Sequence, residues 1–200
     1  MYMGDVKSKT FLDTNASSAT FVAAAARPTT TFTLANTSFG TNTARKITAT
    51  TAGTSDNGKT ITIVGKDHNN EDATEVITLT GSAETSSGTT TAFLSITSAT
   101  VSAQPAGNVS LGMTADVFGS IFQGRTRVRQ VNAESGGSIG SVLFRNGSLT
   151  GTALLTVRTG ATAGDINTVN IPQDGILYKN GAFVTFDETQ CNSATVYFDG

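Results

Sequence analysis

The sequence predicts an all-β protein: two tandem antiparallel β-sandwich domains, Ig-like or jelly-roll-like, preceded by an extended N-terminal arm. Two observations predict this class. Thirty-six of the 200 residues are threonine, a β-branched residue that suits a pleated surface, whereas helix-forming residues are few. Apolar and polar residues alternate in short runs, and turn-forming residues interrupt these runs every 8 to 15 residues, which is typical of sandwiches.

The first 28 residues carry no sustained apolar period. Phe11, Phe21 and Val22 are isolated apolar residues in a polar and alanine-rich segment. We therefore expect an extended arm over residues 1–28 that becomes ordered against a neighbouring subunit. These three residues are candidate assembly contacts of the arm.

Alternating runs predict a first, Ig-like β-sandwich domain over residues 29–113. Turn-formers such as Asp56-Asn57-Gly58 and Pro105-Ala106-Gly107 separate the runs. The predicted strands are 31–35, 45–51, 59–65, 74–80, 90–98, 99–103 and 108–113.

A second small β-sandwich or barrel is predicted over residues 114–200, with 114–122 as a connector. Asn180-Gly181 predicts a β-hairpin, because a type I′ turn needs positive φ at both central positions. The predicted strands are 124–132, 140–146, 152–159, 167–172, 175–179, 182–186 and 194–199. The candidate core residues are Phe144, Leu155, Val157, Tyr178, Phe183, Phe186, Val196 and Phe198.

Charge and apolar patterning exclude several partner classes. Charged residues make up 14% of the chain and the net charge is -2, so the sequence has no electrostatic footprint for nucleic acid. The first residues lack the apolar segment of a signal peptide, and no apolar run reaches the roughly 18 residues of a membrane span. We expect no nucleic-acid or membrane partner and synthesis in the cytosol. The single cysteine, Cys191, is expected to be an ordinary or partly buried thiol.

Residues 67–72 (Asp-His-Asn-Asn-Glu-Asp) combine the only histidine with three acids. An EF-hand loop would need glycine where Asp72 stands and glutamate where Thr78 stands, with helices on both sides. A zinc site would need three or four His or Cys ligands, and the chain has one of each. We interpret the cluster as the polar tip of a hairpin, with a weak cation site as the alternative, and we expect no cofactor or metal.

The segment Gly136-Gly137-Ser138-Ile139-Gly140 matches the G-x-S-x-G pattern of a nucleophile elbow. That motif requires a strand-to-helix turn and a histidine later in the chain. Here the segment leads into a predicted strand, and the only histidine, His68, comes earlier. We interpret it as a loop between strands, and we expect no catalytic residues and no enzymatic activity.

Arg125, Arg127 and Arg129 alternate along one predicted strand, so their side chains share one face. Three like charges in a row can blunt an exposed sheet edge against aggregation. They can also bind an acidic partner surface or a phosphate. The three arginines are therefore further candidate assembly contacts.

Short sequence motifs in the first domain resemble a module of tailed-bacteriophage virion proteins. The module has a V-x-G-x-D strand end, a T-E-x-I-x-L-x-G strand, an aromatic strand with S-I-T-S, and a closing A-G-N-V-S-x-G. Here these are residues 64–67, 74–81, Phe93 with 95–98, and 106–112. The resemblance covers residues 30–113, and the second half is more faintly similar to small phage structural domains through Ile171-Pro172-Gln173-Asp174-Gly175-Ile176.

The resemblance implies a non-enzymatic virion structural protein, made in the host cytoplasm, that decorates or cements the capsid shell. Its implied partners are further copies of itself and the major capsid protein, or else neck or tail proteins, and it brings no catalytic residues. The alternative is a receptor-binding or glycan-binding adhesin. Sugar-binding surfaces use exposed aromatic side chains, and a chain without tryptophan and with three tyrosines offers few.

Overall fold

The computed structural model describes residues 5–51, 54–80, 86–172 and 174–200. These residues are all-β, with fourteen strands, one 3-10 turn at Thr54–Asp56 and no α-helix. All strand pairings with a defined register are antiparallel. The strands are β1 (Val6–Leu12), β2 (Ala23–Ala26), β3 (Ala44–Thr51), β4 (Thr60–Asp67), β5 (Asp72–Thr78), β6 (Ser86–Val101), β7 (Val109–Phe122), β8 (Thr126–Ser135), β9 (Gly140–Asn146), β10 (Ala153–Thr159), β11 (Ile166–Asn170), β12 (Ile176–Tyr178), β13 (Ala182–Asp187) and β14 (Cys191–Asp199).

The chain folds into two compact units that are interleaved along the sequence. Unit 1 contains the described residues of Met1–Thr14, Gly40–Thr43 and Asp116–Gly200, and unit 2 contains Asn15–Phe39 and Ala44–Ala115. The chain therefore passes from one unit to the other after residues 14, 39, 43 and 115.

Unit 1 is a two-layer β-sandwich. One layer has the strand order β1-β14-β8-β11, with β12 also paired to β8. The other layer has the order β10-β9-β13-β7, to which β7 contributes residues 116–122. Along β8, β9 and β14, burial alternates, and inward residues such as Val131, Phe144 and Val196 are fully buried. This period-two burial is what the alternating sequence predicts. β13 differs, because its residues 182–186 are all buried.

Unit 2 is built around β6, a strand of 16 residues. The first half of β6 pairs with β3 and its second half with β4, which in turn pairs with β5. The segment 30–37 runs along β6 through hydrogen bonds between Phe32 N–H and Ala99 O (2.9 Å) and between Val101 N–H and Thr30 O (2.8 Å). Fully buried side chains, including Phe39, Ile47, Ile61 and Phe93, fill the interior.

The side chain of Arg45 on β3 is fully buried in unit 2. Its Nη1 donates to the carbonyl oxygens of Thr114 and Ala115, both at 2.7 Å, and its Nη2 donates to that of Asn15 at 3.1 Å. A buried guanidinium is tolerated only where such acceptors replace water. Arg45 therefore joins the first segment of unit 2 to its last.

The N-terminal arm predicted over residues 1–28 is not confirmed. Residues 6–12 form β1, which pairs with β14 over seven residues, from Val6 opposite Asp199 to Leu12 opposite Ser193. Phe11 lies in the unit 1 core, and residues 21–23 pack in unit 2. The partner strand of β1 lies more than 180 positions away in sequence, so no local pattern indicates the pairing.

Two predictions for the second half of the chain are wrong. The predicted connector 114–122 is strand: β7 continues through it from Val109 to Phe122. Asn180-Gly181 does not close a hairpin, since β12 pairs with β8 whereas β13 pairs with β7 and β9 in the other layer. Gly181 has positive φ (101°) but Asn180 does not, so the type I′ geometry is absent.

Phe11→Ala should destabilise unit 1 by about 3–5 kcal/mol, because the aromatic ring is fully buried. Denaturant unfolding followed by circular dichroism measures the change, and the reaction of the buried Cys191 thiol reports on unit 1 specifically. Val6→Ala is the matched control on the same strand, because Val6 is 59% exposed, and it should change stability by less than about 0.5 kcal/mol. Equal effects of the two changes would restore the free-arm hypothesis.

Candidate functional site

The acidic cluster at residues 67–72 is the turn of the β4–β5 hairpin, as the sequence predicts. The Oδ1 of Asp67 accepts the backbone N–H groups of Asn69 (2.8 Å) and Glu71 (3.0 Å). Asn70 takes a left-handed φ of 66°, which asparagine tolerates better than most residues. Asp67 therefore shapes the turn, with its Oδ1 bound by the main chain.

His68 packs against the sheet rather than projecting from the turn, and its side chain is 17% exposed. Burial lowers the pKa of His68, although the negative charges of Asp67 and Glu71 oppose this shift. The imidazole is consequently neutral near pH 7. Within the described residues, no group of three or more His, Cys, Asp and Glu side chains is placed to share a metal ion.

Asp56, at the end of the 3-10 turn, is a fully buried carboxylate that sequence reasoning missed. It accepts hydrogen bonds from Lys59 Nζ (2.8 Å) and from the backbone N–H groups of Ala106 (2.7 Å) and Gly107 (3.2 Å). Burial alone would raise the pKa of Asp56, but these donors outweigh burial and lower it. The segment around Asp56 and the segment around Ala106 both carry turn-forming residues, and nothing in the sequence links the two segments.

Arg127 and Arg129 lie on β8, where Thr126 and Val128 point inward, so the predicted alternation is confirmed for these two arginines. Arg125 is exposed and precedes the strand, which begins at Thr126. The strand itself is not a sheet edge, because β14 pairs with one side of β8 and β11 and β12 pair with the other. The interpretation that Arg125, Arg127 and Arg129 blunt an exposed edge is therefore wrong. Their side chains need another explanation.

The Arg129 side chain binds the carboxylate of Asp199 within unit 1. Its Nε and Nη2 donate to Oδ2 of Asp199 at 2.9 and 2.6 Å. The β8–β14 register shifts at this point, a bulge that re-aims the Arg129 side chain. The hydrogen bonds that Arg129 donates to Asp199 raise the pKa of its guanidinium.

The other candidate contacts are packed within the chain. Phe11 and Val22 are fully buried, Phe11 in unit 1 and Val22 in unit 2. Phe21 is partly buried, and its ring lies 5.9 Å from that of Phe39, centroid to centroid. A contact of these residues with a neighbouring subunit would require them to leave their cores.

The G-x-S-x-G match lies in the loop between β8 and β9, with a strand on each side. The backbone oxygen of Ser138 accepts a hydrogen bond from Thr159, and Ile139 is exposed. The strand-to-helix geometry of a nucleophile elbow is therefore absent at this segment. Cys191 is fully buried, and burial raises the pKa of its thiol to about 12, so it is more buried than the sequence predicted.

Comparisons with protein-family models, curated proteins and solved structures found no match to this chain. Among the described residues, no helix has the length and apolar character needed to cross a membrane.

Asp56→Asn should destabilise the protein by about 2 kcal/mol at pH 7, because the fully buried side chain loses the charge that strengthens its hydrogen bonds from Lys59, Ala106 and Gly107. The folded-state pKa of Asp56 is depressed, so its contribution is present above the unfolded-state pKa of about 3.9 and is lost as the pH falls through the folded value. Unfolding measured from pH 7 down to pH 2 should show the two proteins converge. Asp72→Asn is the control: its side chain is 93% exposed, and a comparable effect there would contradict the assignment.

Proposed function

We propose that the chain is a non-enzymatic structural protein of a tailed-phage virion, made in the host cytoplasm and incorporated into the particle. In this role it decorates or cements the capsid shell as a homo-oligomer bound to the major capsid protein. The observation that carries the proposal is that residues of the motifs resembling the virion module have defined positions in the strand framework of unit 2. The resemblance therefore rests on residues that build a fold, rather than on shared composition alone.

Two glycines of the module motifs lie where two segments approach closely. A side chain at Gly65, in the V-x-G-x-D motif, would overlap the carbonyl oxygen of Ser95 where β4 passes β6. A side chain at Gly112, in the closing A-G-N-V-S-x-G motif, would overlap the carbonyl oxygen of Ser18. Only glycine fits either position without movement of the backbone.

The glutamate of the T-E-x-I-x-L-x-G motif joins β5 to β6. The carboxylate of Glu75 accepts the N–H groups of Thr90 (2.6 Å) and Thr91 (2.8 Å) and the hydroxyl of Thr90 (3.0 Å). Burial would raise the pKa of Glu75, but the hydrogen bonds dominate and lower it. Glu75 thus supplies acceptors that a neighbouring strand would otherwise provide.

The closing motif, residues 106–112, binds the Asp56 carboxylate through the backbone N–H groups of its first two residues. The last part of this motif begins β7, where Val109 and Leu111 are fully buried. Asp67 and Glu75 of the motifs therefore bind main chain, and Val109 and Leu111 fill the core. A module of this kind supplies a stable framework, which supports a structural role.

Gly65→Ala should destabilise the protein by about 1–3 kcal/mol, because the added methyl group forces β4 and β6 apart. Gly160→Ala is the matched control: its φ is not positive and the nearest atom, an Asp165 carboxylate oxygen, would lie 3.7 Å from the new methyl group. Denaturant unfolding of both variants gives the comparison. A change in the free energy of unfolding within about 0.5 kcal/mol for Gly65→Ala would remove the structural account of the V-x-G-x-D motif.

The virion role predicts that the protein is present on purified particles of the phage that encodes it. Protein mass spectrometry of such particles and electron microscopy with an antibody to the chain test this prediction. A symmetric shell component should be present in copies on the order of hundreds, whereas about a dozen would indicate the neck. Absence from the particle would reject the proposal, and binding to a glycan array in that case would favour the adhesin alternative.

A further inference from the structure

A groove of about 270 Å³ opens at the start of β8 in unit 1. It is lined by Arg125, Thr126, Arg127, Leu177, Asp199 and Gly200. Arg125 is exposed, and Arg127 and Leu177 are half-buried. The groove thus combines two guanidinium groups with one apolar side chain. We call it the arginine groove.

The two arginines of the arginine groove are not paired with side-chain carboxylates within the described chain. The one side-chain carboxylate in the lining, that of Asp199, is held by Arg129 through two hydrogen bonds. Arg127 donates a single long hydrogen bond (3.3 Å) to the backbone oxygen of Asp174. Among the described residues, neither Arg125 nor Arg127 forms an ion pair with a carboxylate.

Guanidinium groups that line one groove match a carboxylate better than any other common protein group. The planar fork of arginine donates two parallel hydrogen bonds to the two oxygens of one carboxylate. A nucleic acid is a poor fit, because a phosphate backbone requires many cations along its path and the net charge of the chain is -2. The geometry therefore indicates an acidic protein segment as the occupant.

The β4–β5 turn of the same chain has the complementary chemistry. Glu71 is exposed at the tip, and the Asp72 side chain is 93% exposed. Asp72 forms an ion pair with Lys66 (2.9 Å), but a pair exposed to this degree contributes little and leaves the carboxylate accessible. Charged residues are sparse in this chain, yet three of its 15 acids fall within residues 67–72. The hydrogen bonds of Asp67 already hold the turn in one shape, so docking it costs little conformational entropy.

We propose that the acidic turn of one copy, through Glu71 and Asp72, docks in the arginine groove of the next copy. This inference rests on the proposed homo-oligomeric function and names its contact. The two surfaces differ, so the contact is heterologous and repeats head to tail into a ring or an open array. A single such contact is weak and salt-sensitive, and it gains strength when many copies are fixed on one particle.

The test is charge reversal in the full chain, with self-association measured by sedimentation over a range of protein concentrations. The groove variant is Arg125→Glu with Arg127→Glu, and the turn variant is Glu71→Lys with Asp72→Lys. Each should weaken self-association at least about tenfold, because like charges then face each other. An equimolar mixture of the two variants should associate again, since each groove then meets a turn of opposite charge.

The control variant is Arg158→Glu with Lys179→Glu, which changes net charge as the groove variant does, at two exposed cations of unit 1 outside the groove lining. It should associate like the unmodified chain, and restoration by mixing excludes misfolding as the cause of the losses. Unchanged association of either reversed variant overturns the inference, as does failure of the mixture to associate. So does a chain that is monomeric at every concentration, while presence on virions would still uphold the proposed function.

Discussion

The buried guanidinium of Arg45 is the interaction on which the chain path depends. Its three carbonyl acceptors belong to Asn15, Thr114 and Ala115, and Arg45 itself is the second residue of the longest segment of unit 2. This hydrogen-bonded cluster therefore holds together the start of the segment Asn15–Phe39 and both ends of the segment Ala44–Ala115 within unit 2. A charge buried without these acceptors would cost several kcal/mol, so the path of the main chain at these points is tightly constrained.

Acidic side chains serve the main chain in the same way. Asp56, Asp67 and Glu75 each accept at least two backbone N–H groups, and in each case a turn or strand edge receives acceptors that no neighbouring strand supplies. A threonine-rich β protein with short strands has many such ends, and carboxylates close them with strong, charge-assisted hydrogen bonds. Polar residues that resemble an active site in the sequence are thereby engaged in the fold.

The acidic turn and the arginine groove carry charges that lie outside this hydrogen-bonded framework. Glu71 and Asp72 extend beyond the turn that Asp67 holds, and Arg125 and Arg127 line a groove next to an arginine already paired with Asp199. The proposed shell role needs contacts that are weak singly and strong in number. Exposed charges on a turn that hydrogen bonds already hold in shape meet that need, since ordering them on binding costs little.

Local chemistry was sufficient to predict much of this protein from its sequence. Period-two alternation identified the all-β class, most strands, the inward and outward faces of β8, and the acidic cluster as a turn, because each depends on neighbours a few residues apart. Tertiary structure alone decided the pairing of β1 with β14, the continuation of β7 through a predicted connector, and the different layers that β12 and β13 join. It also brought Lys59 and the N–H groups of residues 106 and 107 to Asp56. These outcomes depend on which distant segments pack together, and alternation carries no information about the partner of a strand.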